Sequence, residues 1–450
     1  MSQTLIQKYN VPGPRYTSYP TVPFWKNSQL DEKSWLETVH FNYTSFSTNE
    51  ISLYIHLPFC ESLCTFCGCH KRITKNHAVE TPYINAVIEE WKIYLSKMDF
   101  TPVIRELHLG GGTPTFFSPS ELERLITSIV TTANIHPTEF EFSFEAHPNN
   151  TTDEHLEVLF SLGFKRLSLG IQDYSPTVQQ AIHRIQPFEN VSKVHAKAKE
   201  IGYSSISHDL VFGLPKQTLA DVKDTVAKTL LLMPDRISLY SYAHVPWVKG
   251  VGQRGYDEND LPQDYEKREL YETAKALLES AGYLEVGMDH FALPHDSLAI
   301  AMKNKTLHRN FMGYTTQNTS MMIGLGMSSI SDSWFGFAQN EKTVEAYQER
   351  VMQGEIPVFR GHILSQEDLQ IRRHILDLMC HFETEVKDDN FLDEVKLGLS
   401  EMLEDGLVTF EGNKVLITES GIPFVRNACM AFDRDLKGLE KREGMFSKTV

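Results

Sequence analysis

Residues 51–69, "ISLYIHLPFCESLCTFCGC", join a strand-like run to a burst of thiols. The first half, "ISLYIHLPF", is rich in β-branched and aromatic residues and predicts a strand. The second half, from Phe59, puts four of the chain's six cysteines into eleven positions. Three of them obey a Cys60-x3-Cys64-x2-Cys67 spacing, and Cys69 lies two residues further on. In a reducing compartment so dense a cluster points to metal binding or catalysis rather than to disulfides.

Outward from this stretch, similar β-rich runs recur: "IRELHLGGG", "FEFSFEAHP", "RLSLGIQD", "SSISHDLVFGL" and "RISLYSYA". Helix-period segments separate them, among them 80–97, 118–133, 152–162 and 218–233, with capping residues such as Ser118 before Pro119 and Thr152 before Asp153. Alternating β and α units predict an α/β protein with a parallel sheet and right-handed crossovers. Six units are too few for the usual closed eight-stranded barrel, so the expected architecture is an open, partial (β/α)6 barrel. Residues 1–50 are aromatic- and proline-rich with little periodicity and read as an ordered arm over the active site. Residues 51–363 form the barrel and its extension, with one further strand expected in "YLEVGMDHFAL". From 364 the pattern changes to helices at 365–380 and 389–404 and a hairpin, "LVTFEGNKVLIT", turning at Gly412-Asn413. Residues 364–450 therefore read as a small α+β, winged-helix-like domain.

Composition bounds the function. With 450 residues, 41% apolar and 23% charged, the chain has the make-up of a soluble globular protein. The N-terminus lacks a secretory pattern, and no apolar run reaches the ~18–20 residues needed to span a bilayer, so a cytoplasmic address is expected. A net charge of −16 argues against nucleic-acid binding, and against a polyanionic substrate unless cations are gathered locally.

Three thiolates on one loop suit a [4Fe–4S] cluster, because they ligate three irons and leave the fourth open to bind a small molecule. The competing class is a zinc-stabilised interaction protein using all four thiols. Zinc knuckles normally space ligand pairs by two to four residues, yet one residue separates Cys67 from Cys69, and neither Cys380 nor Cys429 supplies a second pair. The barrel reading also predicts where chemistry gathers, at the carboxyl ends of the strands. There the sequence places the cysteines, "GGGTP" (110–114), Glu145, Gln172, Asp209 and Ala243. The glycines permit close backbone approach to a ligand.

The cysteine spacing, with Phe66 before the third thiol, resembles the signature of radical S-adenosylmethionine (SAM) enzymes. Nearly the whole chain, from "KYNVPGPRYTSYPT" through "LYIHLPFC", "LHLGGGTPT", "FEAHP", "SLGIQD", "HDLVFGLP", "RNFMGYTTQ" and "GLGMSSIS", is similar to one branch, the oxygen-independent coproporphyrinogen III oxidases. The resemblance implies conversion of two propionates of coproporphyrinogen III to vinyl groups with loss of CO2, in haem biosynthesis. It implies a [4Fe–4S] cluster on Cys60, Cys64 and Cys67 and two bound SAM molecules. One SAM would contact Tyr54, Gly112, Glu145 and Ile330. The other would contact Phe66, Thr113, Gln172, Arg184, Asp209 and Ala243. A tetrapyrrole substrate and an unidentified electron donor and acceptor follow from the same resemblance; the lack of an obvious coiled-coil heptad makes a monomer the expectation, and charge and hydropathy predict no nucleic-acid or membrane partner.

Arg15 and Arg309 are the candidate anchors for substrate carboxylates, because guanidinium pairs with carboxylate in a bidentate manner. Tyr16, Tyr19 and Phe311 are candidate covers for the macrocycle, and Cys69 is a non-ligand near the substrate. The chain carries Phe311-Met312-Gly313-Tyr314 where this branch often has glutamine in second place, and methionine lacks the amide hydrogen bonds. Two relatives of the branch compete with this reading. Haem chaperones bind haem without oxidising porphyrinogen, but lack the "PGPRYTSYP" arm and the cysteine matching Cys69. Radical SAM methyltransferases or cyclopropane-forming homologues would give different products.

Overall fold

The computed structural model describes residues 3–25, 30–247, 252–437 and 445–449. Helices α1 (Gln3–Tyr9) and α2 (Glu32–Phe46) precede strand β1 (Glu50–Leu57). Five β/α units follow: α3 (Glu80–Lys97) with β2 (Val103–Gly111), α4 (Pro119–Val130) with β3 (Glu141–Ala146), α5 (Asp153–Ser161) with β4 (Phe164–Gln172), α6 (Pro176–Ala181) and α7 (Phe188–Ile201) with β5 (Ser205–Phe212), and α8 (Leu219–Leu232) with β6 (Arg236–Ser241). The caps form as expected: the Ser118 hydroxyl accepts from the Glu121 N–H, and Thr152 exchanges hydrogen bonds with His155.

Strands β1 to β6 pair in parallel in sequence order, and the sheet does not close. It is wider than six strands. Beyond β6 come α9 (Asp264–Ser280), then β7 (Leu284–Glu285) and β8 (His290–Ala292), which add an antiparallel edge. After α10 (Ser297–Lys303) and the hairpin of β9 (His308–Asn310) and β10 (Gly313–Thr315), β11 (Met322–Leu325) pairs in parallel with β1. The antiparallel strands β12 (Ile330–Asp332), β13 (Gly336–Asn340) and β14 (Val358–Ile363) complete that side, with α11 (Val344–Met352) between the last two.

Register explains how this sheet presents a site. Leu53, Ile55, Leu107, Leu109, Phe142, Phe144, Leu167 and Leu169 face the helices and are buried in the main core. The alternate residues lie opposite one another on the other face: Tyr54 beside His108, His108 beside Ser143, Glu145 beside Ser168, Gly170 beside Asp209, and Asp209 beside Ser238. Each parallel strand is thus apolar towards the helices and polar towards the concave side, as a period of two requires. A packed eight-stranded barrel fills that side with branched apolar residues; here it is left for polar chemistry.

Two local expectations change here. Residues 32–46 lie within the supposed irregular arm, but they form α2, capped by Asp31, whose Trp35 and Val39 are buried in the main core. The strand expected over 283–293 splits into β7 and β8, because Gly287 and Asp289 adopt positive φ and turn the chain. A Cβ at Gly287 would lie 2.7 Å from the Tyr314 ring, so only glycine fits.

The C-terminal unit contains α12 (Gln366–His381), β15 (Glu383–Glu385), α13 (Asp389–Gly398), α14 (Ser400–Glu404), β16 (Val408–Glu411), β17 (Lys414–Ile417) and α15 (Val425–Phe432). The helix expected over 389–404 breaks at Leu399, next to Gly398, a poor helix former. The three strands form an antiparallel sheet in the order β15-β17-β16, with Gly412 in the left-handed region at the turn. Its core includes Leu378, Val395, Val415 and Phe432, and it also takes in Tyr9, Tyr16 and Tyr19 of the arm.

Candidate active site at the carboxyl ends of the strands

The chain leaves β1 at Leu57 and reaches the cysteines at once. Cys60, Cys64 and Cys67 are free thiols that, with Cys69, line one cavity. Phe66, Gly112, Thr113, Glu145, Gln172, Arg184 and Asp209 line the same cavity. Residues separated by up to 149 positions in sequence therefore meet where five successive strands end.

Two side chains address the sulfurs. Thr113 donates its hydroxyl to Cys60 Sγ at 3.3 Å, and Arg184 Nη1 stands 3.7 Å from Cys64 Sγ. Lys71 donates to the Cys67 and Cys69 carbonyls at 3.3 and 3.2 Å. Burial pushes the Cys60 thiol up to about 11. The Cys69 thiol donates to Cys67, which lowers Cys67 and holds Cys69 well above the usual thiol range.

Glycines bring backbone close on the opposite wall. A Cβ at Gly112 would lie 2.5 Å from the Pro58 carbonyl oxygen, and Gly111 has φ of +113° against the His56 ring. Glu145 accepts from the Gly111 N–H at 3.3 Å and stands 3.6 Å from His108. Burial raises Asp209 to about 6. Arg184 is held by the Gly170 carbonyl at 2.6 Å and by Gln186, and its buried Nε has no hydrogen-bond partner among the described residues. Gly170 makes room for this guanidinium: a Cβ there would lie 2.9 Å from Arg184 Nη2.

Other expected site residues fall around the cavity rather than in it. Tyr54 lies on the polar face beside His108 and donates towards His56 Nδ1, 3.1 Å away. Ala243 lines a second cavity beyond β6, and Ile330 packs with Trp25 and Phe311. Phe311 meets Trp25 and Phe337 edge-on. Arg309 is buried over the Tyr314 ring, with Nε unpartnered among the described residues. Arg15 donates to the Ser241 carbonyl at 2.8 Å and stands 3.6 Å from Asp289. Tyr16 and Tyr19 do not cover a macrocycle. Both are buried in the C-terminal core, where Tyr16 donates to Asp433 at 2.9 Å.

Sequence reasoning missed Gln253, which ties the site's two halves together. Its amide donates to the Ala243 carbonyl at 2.7 Å and the Phe66 carbonyl at 3.3 Å, while its oxygen accepts from the Val245 N–H. The neighbouring Gly252 N–H donates to the Cys67 carbonyl at 2.9 Å. No local motif marks these two residues. His147, a neighbour of Glu145, also lines the cavity, and burial lowers it to about 2.

The donor chemistry fits a [4Fe–4S] cluster. Three thiols of one loop share a cavity, a glycine wall admits a close ligand, and a half-buried guanidinium with an unpaired Nε awaits an anion. Among the described residues no three His, Cys, Asp or Glu side chains are grouped to hold one metal ion. An open parallel half-barrel with such a loop after its first strand is the architecture of radical SAM enzymes, and residues 54–228 match the model of the radical SAM superfamily.

The chain is 39% identical to the oxygen-independent coproporphyrinogen III oxidase of Helicobacter pylori over 99% of its length and 98% of the relative's, and 38% identical to that of Synechocystis with 100% and 98% covered. The solved coproporphyrinogen III oxidase of Escherichia coli superposes with a TM-score of 0.89 at 34% identity, covering 97% of this chain and 99% of that one. The chain belongs to the oxygen-independent coproporphyrinogen III oxidase family.

Proposed function

We propose that this chain decarboxylates two propionates of coproporphyrinogen III oxidatively, giving the vinyl groups of protoporphyrinogen IX without oxygen. The observation that carries the reading is the meeting of Cys60, Cys64 and Cys67 with Thr113, Glu145, Gln172, Arg184 and Asp209 around one cavity. Cys60, Cys64 and Cys67 would hold a [4Fe–4S] cluster, which when bound to SAM supplies the electron that cleaves the sulfonium to a hydrogen-abstracting 5′-deoxyadenosyl radical.

The remaining residues bind and orient. Gly112 and Glu145 suit the amino-acid end of one SAM, the glycine by close backbone approach and the carboxylate by accepting from an ammonium. Arg184 suits the carboxylate of a second SAM, and Asp209 suits ribose hydroxyls. Thr113 orients Cys60 by donating to its sulfur, and Gln253 holds Phe66 and Ala243 at a fixed separation. Arg309 supplies a buried positive charge for a propionate, and the N-terminal arm brings Arg15 to the end of β6. A single-chain enzyme of the cytoplasm completes the reading; among the described residues no helix is long and apolar enough to cross a membrane.

Anaerobic incubation of the iron-loaded protein with SAM, a reductant and coproporphyrinogen III tests this. The expected products are CO2, 5′-deoxyadenosine and the divinyl tetrapyrrole. Stoichiometric haem binding without turnover, or a methylated or cyclopropanated product, would replace it.

A further inference from the structure

The acidic chain needs a local store of positive charge to hold a substrate with four carboxylates, and one lies beyond β6. Arg15 Nη2 donates to the Ser241 carbonyl at 2.8 Å, and Lys267 Nζ donates to the next carbonyl, Tyr242, at 2.9 Å. The two cations thus bracket the carboxyl end of β6, immediately before Ala243. Arg426 lies within electrostatic reach of both and, among the described residues, bonds only backbone carbonyls, those of Gly13, Pro14, Lys448 and Thr449. Of the described carboxylates, Asp289 stands 3.6 Å from Arg15. Asp264 is engaged by Lys448 and Asn10, and Glu258 stands beside His244. With Lys448 counted, four cations stand against Asp289, Asp264 and Glu258, which leaves one positive charge unspent in a chain of net charge −16.

Lys267 reaches this position through a built notch. Gly213, at the end of β5, has φ of +81°, and a Cβ there would lie 2.7 Å from Lys267 Cε. The lysine stem occupies the space that glycine leaves, and its ammonium opens on the cavity lined by Ser241, Tyr242, Ala243 and Trp247. Burial, and then Arg15, lower Lys267 to about 7, so a bound anion would relieve the crowding of positive charge. Gln253 ties the walls of the two cavities together, bonding Ala243 of this one and Phe66 of the cysteine cavity.

We propose that Lys267 and Arg15 form a carboxylate clamp that takes a propionate of the tetrapyrrole while the cysteine cavity acts on another part of it. The proposal rests on the coproporphyrinogen reading above. The carboxylate of a SAM molecule is the other source of the same chemistry, and the measurements separate the two.

The test uses the full-length, iron-loaded protein under anaerobic conditions, with Lys267→Met, Lys267→Arg and Gly213→Ala. Coproporphyrin III and its tetramethyl ester are titrated by fluorescence, and bound SAM per chain is counted by equilibrium dialysis. The wild type should favour the free acid over the ester. Lys267→Met should lose about tenfold or more of the acid affinity, as one charge-assisted contact implies, with ester affinity unchanged. Lys267→Arg should retain most of it. Gly213→Ala keeps the charge but displaces the lysine stem, and should weaken the acid in the same direction, which covers the case of a poorly folded Lys267→Met. Acid affinity unchanged in both Lys267→Met and Gly213→Ala overturns the clamp. Loss of SAM with the acid retained overturns its assignment to the tetrapyrrole. Turnover of coproporphyrinogen III by the wild type is scored separately: its failure removes the functional reading, whereas an unaltered Lys267→Met removes only the clamp.

Discussion

Arg184 Nη1 stands 3.7 Å from the sulfur of Cys64, and no carboxylate pairs with this guanidinium among the described residues. It is held instead by the Gly170 carbonyl and the Gln186 side chain, with Nε left over. A half-buried cation fixed by neutral acceptors is primed for a carboxylate ligand. Arg184→Gln should leave three thiolates and a full complement of iron and sulfide. Affinity for SAM should fall about 10- to 100-fold, the worth of a charged hydrogen bond. Equilibrium dialysis under anaerobic conditions measures it, and unaltered SAM binding would remove Arg184 from the site.

Cys69 shares the cavity with the three spaced cysteines but lies outside their Cys-x3-Cys-x2-Cys spacing. Cluster assembly on Cys60, Cys64 and Cys67 should therefore survive Cys69→Ala, with iron, sulfide and charge-transfer absorption at wild-type levels. Replacing any of the other three by alanine should abolish all of these signals. A colourless Cys69→Ala protein would make Cys69 a ligand.

The legible parts of this molecule were those written in periodic or tightly spaced residues. Six parallel strands and the cysteine loop follow from alternation and spacing, and strand ends at Glu145 and Gln172 follow from the strands. The polar concave face was present in the same runs, as Ser52, Tyr54 and His56 alternating with Leu53 and Ile55, but only pairing in register turns it into one surface. Gln253 and Lys267 were illegible for another reason. Gln253 reaches Phe66 and Lys267 reaches Tyr242 only through the fold, and neither sits in a motif. The arm misled through its composition: Tyr16 and Tyr19 look like ligand-facing aromatics until the C-terminal core is seen to bury them.

That burial changes what an arm deletion reports. Removing residues 1–20 strips Tyr9, Tyr16 and Tyr19 from the second core and also the pairing of Pro12 with Lys448. At ~1.5–3 kcal/mol for each large side chain, the C-terminal unit should lose several kcal/mol, so the truncated protein should melt early. Arg15→Gln is the cleaner variant. It should keep the wild-type unfolding midpoint within a few degrees and raise KM for coproporphyrinogen III about tenfold. An unchanged KM would reduce Arg15 to a tether on Ser241.

Glu90 on α3 is wholly buried beneath the far end of the cysteine loop. Its carboxylate accepts from the Gly326 N–H at 2.8 Å, the Tyr347 hydroxyl at 2.6 Å and the Asn340 amide at 2.6 Å. The turn it holds bears Ser328, which bonds His70 at 2.7 Å, and Gly326 packs closely on the His56 carbonyl. Burial raises Glu90 from its ordinary 4.5 to about 7. Because the folded value lies above the unfolded one, the folded state binds the proton more tightly. The associated stability is complete below pH 4.5 and is lost as pH rises through 7. At 1.36 kcal/mol per unit, that loss is roughly 3 kcal/mol between pH 4.5 and pH 8. Glu90→Gln does not titrate, and any mismatch of its amide with Asn340 is a cost independent of pH. Urea unfolding of both proteins from pH 5 to 8 should show the difference between them moving steadily in favour of glutamine as pH rises. A difference that stays flat would mean that Glu90 is ionised throughout, and that the turn beneath the cysteine loop is held by a charge rather than by a shared proton.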